Sequence, residues 1–227
     1  SDLLTQVAGT YTVTVAIYSE DDCDTSGTDD SDTGVFTVSG PNSSPVITDA
    51  GATLAYSEGD AATVIDSTLT ITDSDNSNMA SATITISSGY QSSEDVLAFT
   101  DANGITGSWN SGSGVMTLSG SATKANYEAA LESVTYQNSN SDDPDNTNRT
   151  VTWIVNDGTS NSSAVTSTIT VADVDDAPVL SGAGGTLAYS EGDAATAIDS
   201  SLTITDSDSS NMASATITIS SGYQSSE

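Results

Sequence analysis

The chain has 227 residues, with 32 acidic side chains against two basic ones (Lys124 and Arg149), no histidine and a net charge of −30. That balance argues against a surface for nucleic acid or anionic membrane, because phosphate binding needs lysine and arginine. It also opposes compaction unless salt or bound cations screen it. The acids divide as eight in 1–44, 18 in 45–177 and six in 178–227, so they are distributed and do not form a tail. A saline or calcium-rich exterior suits such a chain. No apolar run approaches the roughly 18 residues of a membrane span.

In chain order, the first predicted strand is 10–17 (TYTVTVAI). The acidic stretch 19–32 (SEDDCDTSGTDDSD) reads as a solvated loop, with a further cation site as the alternative, and Cys23, which has no second cysteine in the chain, reads as a free thiol or a link between chains. Further strands are expected at 67–72 (STLTIT), 82–86 (ATITI), 150–155 (TVTWIV) and 166–171 (TSTITV). Each alternates Thr or Ser with Val, Ile, Leu or Trp, the period of two that a sheet with one buried face requires. One segment departs from this. Residues 124–132 (KANYEAALE) are good helix formers, and Tyr127, Ala130 and Leu131 share one helical face behind a Thr123 N-cap. A short helix is expected there, followed by a strand at 133–137 (SVTYQ). Such a series of short strands with turn signals predicts an all-β fold of β-sandwich modules, each with one short helix.

Residues 45–94 return at 178–227 with seven substitutions, at an offset of 133. The chain therefore reads as a window on a longer tandem array. It divides into 1–44, the terminal strands of a preceding diverged sandwich; 45–177, a complete module; and 178–227, the opening part of a repeated one. Ser44-Pro45 and Ala177-Pro178 start equivalent units, and the residue before each proline is held extended. Residues 178–227 lack counterparts of the helix and of the Trp153 strand. Their order is expected to come from residues continuing past Glu227 or from strands donated by another chain.

Short acidic motifs fall at predicted strand ends. They are Glu58 in SEGD; Asp142, Asp143 and Asp145 in SDDPDN; Asp173, Asp175 and Asp176 before the linker proline; and Asp206 and Asp208 in TDSD, whose first copy carries Asp73 and Asp75. Asp-rich turns are common in their own right. Several converging carboxylates, however, are what a hard cation such as Ca2+ takes as ligands.

The stretch VNDGTSNSSAVTSTITVADVDDAPVL resembles the end of a cadherin repeat, and YEAALESVTYQN followed by RTVTW is similar to the cadherin-like tandem repeats of large bacterial surface adhesins. The resemblance covers 45–177 and 178–227 and implies tandem Ig/cadherin-like β-sandwich modules. It implies a calcium cage at the Ala177–Pro178 junction of one to three ions. Its ligands would be Glu58, Asp142, Asp143, Asp145, Asp173, Asp175, Asp176, Asp206 and Asp208. The Asp-Arg-Glu motif of cadherins is absent, and Asp175 stands where that family has asparagine. The first linker, VSGPNSSPVI, has no carboxylate from Gly34 to Ile47, so fewer ions or none are expected there.

No nucleophile motif, histidine or phosphate loop supports catalysis, and the chain is expected not to be an enzyme. The implied role is an extracellular or cell-surface stalk of a bacterial adhesin, stiffened by calcium, whose partners are calcium and neighbouring repeats. The alternative is a self-assembling filament or matrix in which identical chains touch, and a third reading is a sugar- or protein-binding module. Tyr90 and Tyr223 are candidates for contacts between chains, against ordinary turn packing. Neither nucleic acid binding nor direct membrane insertion is expected.

Overall fold

The structure, a computed structural model, describes the backbone of 11–17 and 32–38 and the whole of 40–224. Cys23 and the acidic loop around it lie outside the described residues. In chain order the elements are β1 (Tyr11–Ile17), β2 (Asp32–Val38), β3 (Val46–Thr48), β4 (Thr53–Ser57), β5 (Thr63–Val64), β6 (Thr70–Thr72), β7 (Asn78–Ser88) and β8 (Asp95–Ala98). Then come β9 (Thr106–Asn110), β10 (Val115–Thr123), α1 (Lys124–Glu132), β11 (Thr135–Asn138), β12 (Arg149–Asn156), β13 (Val165–Ala172), β14 (Val179–Ser181) and β15 (Thr203–Thr205). The protein is an all-β sandwich, with α1 the one helix among the described residues.

Residues 45–172 form two layers. A six-stranded sheet runs in the order β4-β13-β12-β7-β10-β9, and a three-stranded sheet runs β5-β11-β8. All these pairings are antiparallel except β13 with β4. The alternation read from the sequence places the core: Val151, Trp153 and Val155 of β12 and Ser167, Ile169 and Val171 of β13 point inward. Across the layers, Tyr56 of β4 meets Tyr136 of β11 edge to face, with centroids 5.1 Å apart. Such a pair adds to the area it buries.

One slip in the alternation has a visible cause. On β7 the buried positions change parity between Met79 and Ala82. Opposite them, Gly120 and Ser121 of β10 face the single residue Ala80, a β-bulge. Gly120 has φ of +133°, and a Cβ there would lie 2.1 Å from the Gly104 carbonyl oxygen. The nearby sequence DANG, in which Asn103 and Gly104 have φ of 54° and 79°, is a two-residue hairpin turn bridged by Ala102 and Ile105. Paired positive φ values are what such a turn needs, and no further role for Asp101–Gly104 is required.

Helix α1 starts and stops at the residues expected. Thr123 accepts a hydrogen bond from Asn126 N–H through its side chain, and Tyr127, Ala130 and Leu131 are buried. Ser133 caps the C-terminus, so β11 begins at Thr135, two residues later than the alternation suggests. Glu128 then accepts from Ile71 N–H at 2.7 Å, tying α1 to β6.

Asp66 is a buried carboxylate that locks the entry strands to the sheet. It accepts from Gly51 and Ala52 N–H, from Thr68 N–H and hydroxyl, and from Ser167 Oγ at 2.6 Å. Trp153 Nε1 in turn donates to Ser167 Oγ. Burial raises the Asp66 pKa, but these donors outweigh it and hold the carboxyl below its ordinary value. A carboxylate depressed on folding contributes stability above the unfolded value, about pH 4, and loses it as pH falls through the lower folded value. Asp66→Asn is therefore expected to cost about 2 kcal/mol at neutral pH, the typical loss for hydrogen bonds to a charged group. It should also flatten the fall of stability below about pH 4. Urea melts at pH 7 and pH 3 would check this; equal losses at both would contradict it.

Residues 178–224 look different although their sequence repeats that of the sandwich. Only β14 and β15 form there, paired from Val179↔Thr205 to Ser181↔Thr203, as β3 pairs with β6. At the other end of the chain, β1 and β2 form an antiparallel pair of seven residues each.

Candidate metal centre

The linker 173–178 leaves β13 and passes between the loop 139–147 and the turn after β15. Two local devices shape it. Asp206 accepts from Asp208 and Ser209 N–H through one carboxylate oxygen, a turn that presents the Asp208 side chain to the linker. Asp208 Oδ2 then accepts from Asp176 N–H, and Ser207 Oγ donates to Asp176 Oδ2 at 3.1 Å. On the other side, Asn140 turns the 139–147 loop by accepting from Asp142 and Asp143 N–H and donating to the Asp143 carbonyl oxygen.

The result brings Asp143, Asp173 and Asp208 together, each with a carboxylate oxygen within 4.8 Å of the others. They come from the module's loop, the linker and the following repeat. Among the described residues this is the one place where three such groups converge. Like charges this close repel by about 1 kcal/mol per pair even at the dielectric constant of water. Asp208 Oδ1, moreover, is buried with no hydrogen-bond donor. The donor set is oxygen only, which fits a hard divalent cation and not a soft one.

The remaining expected ligands are placed as follows. Asp142, Asp176 and Asp206 line an adjoining cavity of about 420 Å³ with Ala177, Val179 and Thr205. Glu58 reaches the linker from the β4 end, accepting from Val174 N–H at 3.0 Å. That bond lowers its pKa, yet desolvation together with the nearby Asp173 and Asp176 carboxylates raises it above the ordinary value overall. Asp175, central in the sequence motif, is exposed and is not part of the converging group. Asp145 is engaged elsewhere: it accepts from Thr147 N–H and lies 3.5 Å from Arg149 Nη1. Thr147 and Arg149 between them hold its carboxyl below the usual range.

The first junction repeats the frame with no carboxylate in its linker. Ser43 N–H donates to Asp75 Oδ2 at 2.9 Å, as Asp176 does to Asp208. Where Asp175 stands in the second linker, Asn42 stands in the first, donating to Asp157 Oδ2 at 2.8 Å and accepting from Asn76 Nδ2 at 2.7 Å. Sequence reasoning had not singled out Asp157, Asn42 or Asn76. The offset of 133 between the two linkers was the signal that could have found Asn42.

Fold and junction together define an all-β protein of repeated sandwich sequence with an acidic joint between repeats. No family model matches the chain. It is similar to halomucin of Haloquadratum walsbyi, with 34% identity over 133 residues, a stretch that takes in 56% of this chain and 1% of that protein. The chain thus spans about 1% of the length of the curated relative it matches.

Proposed function

We propose that this chain is part of an extracellular tandem-repeat protein in which calcium locks the acidic linker, and that its modules act as a non-catalytic structural stalk of a cadherin-like surface adhesin. The observation that carries this reading is the convergence of Asp143, Asp173 and Asp208 within 4.8 Å, one from each side of the joint and one from the linker itself. A cation held there would bridge two repeats and replace repulsion by attraction, stiffening the joint. Asp142, Asp176, Asp206 and Glu58 are the further acids within this region. Similarity to halomucin supports an extracellular setting, as does a net charge of −30 that suits salt-rich surroundings.

Titrating calcium into the chelated chain, while recording thermal melting and scattering-derived length, tests the reading. Calcium at about 100 times its Kd is expected to add about 2.7 kcal/mol to the calcium-bound state by mass action and to lengthen the particle. If chelation leaves both melting and length unchanged, the calcium stalk is wrong.

A further inference from the structure

Two residues that touch each other at the first joint are both different at the second. The offset of 133 pairs Asn42 with Asp175 and Asn76 with Ser209. Asn76 Nδ2 donates to Asn42 Oδ1 at 2.7 Å. The aspartates of the same turn do not change: Asp73 and Asp75 return as Asp206 and Asp208.

Asn42 ties the linker to two loops of the module. Its Nδ2 donates to Asp157 Oδ2 at 2.8 Å and to Ser160 Oγ at 3.2 Å, both in the connection from β12 to β13. Its Oδ1 accepts from Asn76, in the turn after β6, and Asn76 Nδ2 also lies 3.4 Å from Asp157 Oδ2. That turn is held from below. Asp73 Oδ1 accepts from Asp75 and Asn76 N–H, and Lys124 Nζ donates to the Asp73 carbonyl oxygen at 2.7 Å. Asp75 Oδ2 then accepts from Ser43 N–H, the residue beside Asn42. The other oxygen of Asp157 accepts from Thr159 and Ser160 N–H. Desolvation acts against the Asp157 charge, but Ser160 N–H and the Asn42 amide outweigh it and hold the carboxyl below its ordinary value.

The chemistry of this contact needs an amide. Asn42 must donate to Asp157 and accept from Asn76 at once, and a carboxamide does both without carrying charge. A carboxylate only accepts, so in the same place it would lose the donation and set two like charges in contact. A hard cation between the two would turn that repulsion into attraction, with the Ser160 hydroxyl and water available as further oxygen ligands. Asp175 is the acceptor-only residue that the second linker carries at this position.

We propose that the residue at position 42, or at its counterpart 175, sets whether a joint is closed by an amide or demands a divalent cation, and that Asn42 is the built-in clamp of the first joint. The clamp stands without the calcium reading of the second joint, and only the contrast between the joints rests on that reading.

The test is hydrogen exchange followed by nuclear magnetic resonance on the 227-residue chain, in chelator and in excess calcium. The Ser43 amide reports the first joint, and the Asp176 amide, which donates to Asp208, reports the second. In the parent, Ser43 protection is expected to agree within about twofold between the two conditions, since the clamp holds no ion. Asn42→Ala is expected to lose about tenfold in both, the worth of roughly one hydrogen bond. Asn42→Asp is expected to lose at least as much in chelator and to regain the parent's protection in calcium. The β12 amides should keep the parent's protection in every variant, which separates a released linker from an unfolded module. An Asn42→Ala chain as protected at Ser43 as the parent overturns the proposal. So does an Asn42→Asp chain that is unchanged in chelator, or one that calcium does not restore. An Asp176 amide that ignores calcium in the parent counts against the calcium stalk alone, because the Ser43 result is read separately.

Discussion

Arg149→Met is expected to destabilise the sandwich by about 3–5 kcal/mol, the range found when one partner of a buried ion pair is removed. The Arg149 and Asp95 side chains are both fully buried, with Nη2 3.1 Å from Asp95 Oδ1 and Nε donating to both carboxylate oxygens. Desolvation works against the guanidinium charge, but the Asp95 carboxylate outweighs it and holds the arginine pKa above its ordinary value. Tyr136 Oη donates to the same carboxylate at 2.7 Å, and burial followed by that carboxylate pushes its hydroxyl pKa far up. Without Arg149, Asp95 would be left charged in an apolar layer with only Tyr136 and Gln91 N–H as donors. Arg149→Met/Asp95→Leu should recover much of the loss, because well-packed apolar pairs commonly match buried ion pairs. A loss under about 1 kcal/mol for the single variant in a urea melt would refute this account, as it lies within the range of an exposed pair. The effect also bears on the joint. Arg149 Nη1 donates to the carbonyl oxygens of Asp145 and Thr147, and Glu94 accepts from Asp145 N–H, so the pair braces the loop that presents Asp143.

Where sequence reasoning succeeded, one local rule was enough. The alternation in RTVTWIVN and VTSTITVA gave β12 and β13 to within one or two residues, because each strand is buried on one face only. Thr123, Tyr127, Ala130 and Leu131 gave α1 because cap and face agree within nine residues. It overreached at 67–72, where only Thr70–Thr72 pairs, since Thr68 is bent back onto Asp66. At the junction, the acids were legible as a set but not as a geometry. Asp143, Asp173 and Asp208 are 30 and 35 positions apart, and only the folded loop, linker and turn bring them together. Asp145 was diverted by Arg149, four positions on, a partner that charge counting alone could have suggested in a chain with two basic residues. The partnership of Arg149 with Asp95 spans 54 positions and left no periodic trace. Tyr90 was weighed between a contact and turn packing. It stacks edge-on against Trp109 at 6.1 Å and donates to the Ser111 carbonyl oxygen, while Tyr223 in the copy is exposed.

Neutralising the converging acids is expected to reverse sign with calcium. In chelator, Asp143→Asn/Asp173→Asn/Asp208→Asn removes three like charges held within 4.8 Å, so the variant should match or exceed the parent in stability. With calcium, the parent gains and the variant does not, because a hard cation takes carboxylate ligands far better than neutral amides. The affinity of the junction should fall about 100-fold or more, a loss of about 2.8 kcal/mol. Asparagine keeps the size of aspartate and its side-chain oxygen, so the turn in which Asp208 accepts from Asp176 N–H can persist. This separates a lost ligand from a broken loop. The equivalent change at the first junction, Asp75→Asn, should leave calcium affinity within about twofold of the parent, a difference of about 0.4 kcal/mol. There the linker offers Asn42 and no carboxylate between Gly34 and Ile47. Calorimetric titration of both variants against the parent decides the matter. If the triple variant keeps the parent's calcium response, or if Asp75→Asn abolishes it, the cation does not sit at the second junction.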